Sequence, residues 1–287
     1  MLLTLTVTDA RPFLATRGLS GLPDLHALPL IVHDLGLRGL NLSTALLAGA
    51  KPRDLERLRE SADKVRCSCL VLIEPRPLGF ASLDEDESEK VVERAKRVLQ
   101  AGALLGCNAV SVRIDADTSE ESAQIVGERL RPVLERAEKL EVNLAISPSP
   151  GLTAEPNRLT ELIKSVGGFR IATMPDFQTA VASGDAVAYL RRLTPYAAAV
   201  SASTVTFAVP AASKRRRKAQ PEPNPPEEPP PPPEHTAYPL EPMVRAILSV
   251  GFNGNLAVEY RGEGDVTLGV KMSRAALEDA IRRAVEA

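Results

Sequence analysis

The charged residues best placed to do chemistry follow predicted strands. Glu74 and Arg76 follow the third apolar run, Arg113 and Asp115 lie at the end of the fourth, and Arg261 follows the last. Carboxylates can bind a cation or move a proton, and arginines can hold a phosphate or carboxylate through paired hydrogen bonds. The alternative for each arginine is a salt bridge at the rim of the fold.

Apolar runs typical of buried strands alternate with amphipathic helical segments along nearly the whole chain. The runs lie near 3–7 or 12–16, then 39–43, 68–74, 109–114, 142–147, 169–174, 197–204 and 255–260. Several are apolar throughout, as parallel strands buried on both faces are. Strict alternation favours a closed barrel or a doubly wound sheet, and no Gly-x-Gly-x-x-Gly motif supports the second. We therefore predict an α/β fold, the (β/α)8 TIM barrel, whose strand ends face an active-site mouth.

Two residues predict where helices begin or end. Pro132 lies inside a helical pattern and predicts a break with a second helix beginning there. Ser273 is a candidate cap for the last helix.

A low-complexity segment interrupts the pattern after the seventh strand. Residues 211–237 contain the basic run 214–218, and nine of the thirteen residues 221–233 are proline. Such a segment has no apolar surface to bury, so we predict a disordered basic and proline-rich insertion within a single barrel domain of residues 1–287. It is either a tolerated solvated loop or an electrostatic lid or docking strip.

Composition narrows the class of protein. The formal net charge is -2, and no apolar stretch is long enough to span a bilayer, so neither a membrane nor nucleic acid is an expected partner. The single basic run lacks interleaved aromatic residues, which makes it a weak nucleic-acid signal. Cys67 and Cys69 lie in an apolar run and are predicted to be buried small hydrophobic residues. We expect a cytoplasmic protein.

Several stretches resemble one family when read in order. The last strand region, GFNGNLAVEY at 251–260, resembles the final strand of the sugar phosphate isomerase/epimerase family, the xylose isomerase-like TIM barrels. Residues 130–146 resemble its fourth helix and fifth strand, 194–196 the entry to its seventh strand, and 35–40 its first-helix exit. The resemblance implies a divalent metal (Mn, Mg or Zn) held by Glu, Asp, His and Glu at the ends of strands five to eight. That metal would assist proton transfer on a small sugar or sugar phosphate.

This sequence keeps only half of the implied ligand set. Asp176 and Glu259 match the carboxylates of strands six and eight, as metal ligands and catalytic residues. Ser147 stands at the strand-five position and Ser201, or its neighbour Ser203, at the strand-seven position. Asn41 stands where strand two often carries a glutamate. The metal site is therefore degenerate, and with three histidines in the chain, none at a strand end, a three-zinc endonuclease is excluded.

The expected substrate-binding residues are Arg113, Glu74, Arg261, Ser147 and Ser201. Arg113 is also a candidate to neutralise Asp176 or Glu259 in place of a metal. If nothing neutralises the two carboxylates, they repel one another, and removing either should keep or raise thermal stability.

Two functions remain open at this point. One is a sugar isomerase or epimerase of sugar metabolism with a weakened or altered metal site. The other is a catalytically inactive barrel that binds a carbohydrate-like ligand or a protein partner. The resemblance also implies a homo-oligomer, since members of the family form dimers or tetramers.

Overall fold

The computed structural model describes residues 1–208 and 231–286 and consists of a parallel barrel surrounded by helices. Its eight strands are β1 (Leu2–Val7), β2 (Gly39–Ser43), β3 (Ser68–Leu78), β4 (Ala109–Ile114), β5 (Asn143–Ser147), β6 (Ile171–Thr173), β7 (Ala199–Thr204) and β8 (Asn255–Tyr260). The fold prediction is confirmed. The alternative first strand at 12–16 is wrong, because that segment forms a short helix that packs Phe13 and Leu14 into the core.

The barrel closes by parallel pairing of neighbouring strands. The continuous sheet runs in the order β6-β5-β4-β3-β2-β1-β8-β7, and β1 pairs with both β2 and β8. Two isolated bridges, Thr173 with Ala197 and Asp176 with Ser201, join the two ends of the sheet. The Ser201 amide donates to the Pro175 carbonyl at 2.8 Å, which places the segment after β6 directly beside β7.

Ten helices in the described residues surround the strands. They are α1 (Arg11–Ala15), α2 (Leu28–Asp34), α3 (Pro52–Lys64), α4 (Glu85–Leu105), α5 (Glu120–Leu140), α6 (Pro156–Val166), α7 (Phe177–Ala182), α8 (Ala186–Leu193), α9 (Leu240–Ser249) and α10 (Val266–Glu286). Short 3₁₀ helices cover Leu22–Ala27, Thr44–Leu47 and Thr194–Tyr196. None of these described helices is long and apolar enough to cross a membrane.

Two helix predictions are corrected. Pro132 lies inside an unbroken α5, where the buried neighbours Leu130, Val133 and Leu134 hold the helix against the core. This packing offsets a proline cost of about 3 kcal/mol. Ser273 lies mid-helix in α10, and Asp265 accepts the amides of the first turn instead.

The barrel interior is filled mainly by small apolar side chains. One layer consists of Val71, Ala109, Ala145, Ala172, Met174 and Ala199. In register with it, Thr4, Asn41 and Asn255 form a closed hydrogen-bond network, with Thr4 Oγ1 donating to Asn255 Oδ1 at 2.6 Å. The barrel interior is thus packed, which leaves the carboxyl ends of the strands as the place where the barrel itself can receive a ligand.

The thiols of Cys67 and Cys69 are buried, as predicted. Burial raises the pKa of Cys67 to about 11 and that of Cys69 to about 12, so neither thiol is a nucleophile at neutral pH.

Most of the predicted insertion, residues 211–230, lies outside the described residues, so its disorder stays a prediction. The chain on either side forms an antiparallel neck. The Ala208 amide donates to the Glu234 carbonyl at 2.9 Å, and the Thr236 amide donates to the Thr206 carbonyl at 2.9 Å. Phe207 stacks on Tyr260 of β8, which ties this neck to the rim of the barrel.

Candidate active site at the barrel mouth

A small cavity of about 80 Å³ lies at the mouth of the barrel. It is lined by Thr6, Thr8, Ser43, Ile73, Pro75, Arg113, Ser147, Pro148, Met174, Asp176, Thr179, Ser201, Glu259 and Arg261. Cavities for drug-sized ligands usually measure roughly 300–1,000 Å³. The mouth therefore fits a compound of a few carbon atoms, or one end of a larger molecule.

Arg261 is the centre of the charged groups at this mouth. Its Nε donates to Glu259 Oε1 at 3.0 Å, and its Nη2 donates to Glu259 Oε2 at 2.8 Å. A two-bond fork between guanidinium and carboxylate is the strongest common form of this pair.

The same guanidinium also reaches Asp176. Nη1 donates to Asp176 Oδ1 at 3.1 Å, and Nη2 lies 2.9 Å from Oδ2. Asp176 caps α7 as well, because its Oδ1 accepts from the Thr179 amide at 2.9 Å and from the Thr179 hydroxyl at 3.1 Å. The two carboxylates that the sequence singled out are thus brought together, with one arginine between them.

This pairing keeps Arg261 charged. Burial by itself lowers the pKa of Arg261, but the Glu259 hydrogen bonds and the negative charges of Asp176 and Glu259 outweigh it and raise the pKa above its usual value. Only 28% of the Arg261 side chain is exposed, so solvent screens the pairing weakly.

The two serines at the positions of the missing ligands also lie in the cavity. Ser201 Oγ donates to Glu259 Oε2 at 3.0 Å. Ser147 Oγ lies 2.6 Å from Ser111 Oγ on the neighbouring strand. Ser203 is not in the cavity, since its hydroxyl accepts the Gln178 amide and Tyr238 lies against it. Of the two strand-seven alternatives, Ser201 therefore lines the mouth.

Arg113 is the second cation of the mouth. It lies at the end of β4, beside Ser147 in the sheet register, and its side chain is exposed. No salt bridge to Arg113 occurs within residues 1–208 and 231–286. The expectation that Arg113 neutralises Asp176 or Glu259 is wrong, because Arg261 does so.

Glu74 and Asn41 do not line the mouth. Glu74 is on the outer face of β3, where its buried carboxylate pairs with Arg94 of α4, so its expected place among the mouth residues is corrected. Side chains alternate along a strand, and Ile73 takes the inward position at that level. Asn41 is buried inside the barrel in the hydrogen-bond network with Thr4 and Asn255.

The mouth residues do not fit a divalent cation. A metal needs several free oxygen or nitrogen ligands, and in the described chain no three His, Cys, Asp or Glu side chains are grouped to provide them. Both carboxylates already bind the Arg261 guanidinium, and Thr179 and Ser201 take further lone pairs. A cation here would have to displace the partly exposed guanidinium that already compensates both carboxylates.

The sequence analysis missed the hydroxyl side of the cavity. Thr6 and Thr8 of the β1 region and Ser43 of β2 line the cavity. The signal was present, since threonine alternates with apolar residues over LTLTVT at 3–8, which places Thr4, Thr6 and Thr8 on one face.

Solved structures with the same fold include enzymes named as sugar epimerases. L-ribulose 3-epimerase aligns at 14% identity with a TM-score of 0.76, covering 100% of this chain and 98% of that one. A 3-keto-D-glucoside 4-epimerase from E. coli aligns at 10% identity with a TM-score of 0.68, covering 100% of both chains. The IolI protein, solved with a bound zinc atom, aligns at 15% identity with a TM-score of 0.71, covering 99% of both chains. At such identities the likeness establishes the shared fold.

No curated protein shows significant sequence similarity to this chain. A family model described as the xylose isomerase-like TIM barrel matches residues 30–286, which is most of the chain. The match includes β2 to β8 and both carboxylates of the mouth. The chain belongs to the xylose isomerase-like TIM barrel family.

Proposed function

We propose that this protein binds a small carbohydrate-like ligand at the barrel mouth without a metal. The observation that carries the proposal is Arg261, which holds Asp176 and Glu259 in the position where a cation would otherwise compensate their charge. The fold of sugar epimerases and isomerases supports the ligand class.

The lining of the mouth suits a polyhydroxylated compound. Ligand hydroxyls would exchange hydrogen bonds with Thr6, Ser43 and Ser147, which provide donors and acceptors without net charge. Arg113 lies at the rim with an exposed guanidinium and would bind a carboxylate or phosphate on the ligand.

A second candidate is an isomerase or epimerase that works without a metal. It is favoured by the carboxylate of Glu259, which lines the cavity and would act as a general base on a carbon next to a carbonyl. Arg113 would then stabilise the developing oxyanion. The geometry favours binding over this reaction, because both oxygens of Glu259 already accept hydrogen bonds from Arg261.

Binding and turnover can be separated in one NMR experiment. The protein is incubated in D2O with EDTA and a panel of small ketoses, aldoses and sugar acids, and ligand signals are followed. Line broadening or saturation transfer without loss of any C–H signal supports metal-free binding. Deuterium incorporation that disappears in Glu259→Gln supports the enzyme.

The role of Arg261 is tested with Mn²⁺. The native protein should bind no stoichiometric Mn²⁺, whereas Arg261→Ala should gain measurable binding because two carboxylates are released. Arg192→Ala, which removes an exposed charge from α8, is the matched control. Tight Mn²⁺ binding by the native protein, lost in Asp176→Asn, would overturn the metal-free site.

A further inference from the structure

A larger cavity lies outside the barrel, between α4 and the segment after β2. Its volume is about 710 Å³, in the size range of small-molecule sites. Its inner wall is apolar and includes Leu47, Leu55, Leu72, Val91 and Val98. The barrel mouth and this cavity share Pro75 of β3, but face different sides of that strand.

The charged groups of this cavity are mostly cationic. Arg76, Lys90, Arg94 and Arg97 line it together with the single carboxylate of Glu74. The chain as a whole has a net charge of -2, so this local excess of positive charge is not a general property of its surface.

Arg94 is held in place from below. Its Nε donates to Glu74 Oε2 at 2.8 Å, its Nη2 also contacts that oxygen, and Nη2 lies 3.4 Å from Thr44 Oγ1. The Glu74 side chain is 3% exposed, whereas the Arg94 side chain is 43% exposed. A buried carboxylate thus fixes the orientation of an arginine whose Nη1 has no hydrogen-bond partner in the described chain.

Two further arginines are available to a ligand. Arg76 and Arg97 are exposed, and neither forms a salt bridge within the described residues, whereas the Lys90 ammonium is bound to Glu87 at 2.8 Å. Guanidinium groups bind phosphate oxygens through paired hydrogen bonds, and a phosphate monoester presents three such oxygens.

We propose that this cavity is a second binding site, separate from the barrel mouth, for a small organic phosphate with an apolar body. Arg76, Arg94 and Arg97 bind the phosphate group, and Leu47, Leu55 and Val91 contact the apolar part. Glu74 is a positioning residue that orients Arg94.

Calorimetric titration with inorganic phosphate, butyl phosphate and hexyl phosphate tests the site on the full chain. Hexyl phosphate should bind more tightly than butyl phosphate by severalfold, since each buried methylene contributes up to about fourfold. Inorganic phosphate should bind most weakly. No binding of hexyl phosphate at millimolar concentration would overturn the proposal.

Variants locate the binding. Arg76→Gln/Arg97→Gln should weaken hexyl phosphate binding at least about tenfold, since two charge-assisted contacts are lost. The control Lys164→Gln/Arg192→Gln removes two exposed charges from α6 and α8 and should leave the affinity unchanged. Equal effects of both double variants would show attraction by overall charge only and contradict the site.

Two further comparisons test whether the ligand must carry a phosphate and whether it binds outside the barrel mouth. Hexanoate should bind at least severalfold more weakly than hexyl phosphate, and equal affinity would contradict a phosphate site. Arg113→Gln, at the barrel mouth, should leave hexyl phosphate binding unchanged. A parallel loss would place the phosphate in the mouth and contradict a separate cavity.

Discussion

Arg261 and Glu259 lie two residues apart on the chain and form a two-bond fork, with N···O distances of 3.0 Å and 2.8 Å. A spacing of two places both side chains on the inner face of the strand end. Because the guanidinium also lies against Asp176, one side chain neutralises two carboxylates from different strands.

Replacing Arg261 by methionine should lower the free energy of unfolding by about 2 kcal/mol at pH 7. The change leaves two carboxylates close together in a partly buried cavity, and breaking a buried ion pair costs roughly 3–5 kcal/mol before solvent exposure reduces it. Urea denaturation measures the loss, with Arg192→Met as control. A loss no larger than that of Arg192→Met would contradict this account.

Glu259→Gln should also lower stability, by about 1–2 kcal/mol, because it breaks the fork and leaves Arg261 with Asp176 alone. This reverses the expectation from sequence, which assumed that nothing neutralises the two carboxylates. Thermal denaturation measures it against Glu263→Gln, an exposed control. The double variant with Arg261→Met should lose less than the sum of the two single variants, which is the signature of a direct contact. Full additivity would argue that the fork contributes nothing.

Glu74→Gln should destabilise the protein by about 1–2 kcal/mol and leave ligand binding at the barrel mouth unchanged. The carboxylate is buried and pairs with Arg94 on the outer side of β3. The exposed half of Arg94 keeps the loss moderate. Chemical denaturation measures the stability of this variant, and a sugar titration measures its binding at the mouth. Weakened sugar binding would show that Glu74 contributes to the site at the mouth.

Gly151→Ala should cost about 2–4 kcal/mol. Gly151 has φ +93°, and a Cβ there would lie 2.1 Å from the Ala116 carbonyl oxygen, so the variant adds a steric clash to backbone strain. Gly184→Ala is a matched control, since its φ is +91° but no atom lies within 4 Å of its Cβ. The difference between the two melting temperatures isolates the clash. Equal losses would show that backbone strain alone accounts for both.

His235 should make stability depend on pH below about 6.5. Its Nε2 accepts the Val205 amide at 2.9 Å while Nδ1 donates to the Tyr238 carbonyl at 2.8 Å, so the neutral ring fits the site. Burial lowers the pKa of His235, and the Tyr238 contact only partly opposes this. The unfolded chain therefore binds a proton in a window below 6.5 where the folded chain does not, and stability falls as pH falls through that window.

Denaturation at pH 5 and pH 7.5 measures this slope, which one proton limits to about 1.4 kcal/mol per pH unit. His235→Gln should flatten it. His26→Gln, which removes an exposed histidine, should not. An unchanged slope in His235→Gln would assign the effect to other groups.

The strands were predictable because each is an apolar run between helical patterns, and every observed strand begins and ends within four residues of an expected range. Which face each strand end presents was harder to predict. Residues 69–73 are apolar throughout, so no alternation shows whether Ile73 or Glu74 faces inward. The register between β2 and β3 also shifts at Leu40/Asn41, which residue counting from a neighbouring strand does not reveal.

The sequence predicted which residues line the candidate site, but not which arginine binds the two carboxylates. Asp176, Glu259, Arg261, Ser147 and Ser201 were all singled out, and all line one cavity. Which arginine reaches the carboxylates depends on side-chain direction at two strand ends, and the spacing of 259 and 261 was the available signal. The helix break predicted at Pro132 was wrong for another reason, since tertiary packing outweighs the local preference of proline for a break.

Because of the neck between Thr206 and Thr236, the barrel fold should not depend on which sequence connects residues 208 and 234. The two ends are joined across one rung of hydrogen bonds, so the barrel needs only that the chain leave at 208 and return at 234. The entropy of closing such a loop grows only with the logarithm of its length. Replacing the intervening residues by a short turn, a peptide tag or a folded domain should therefore leave the barrel folded. This position at the rim is suited to the insertion of new sequences.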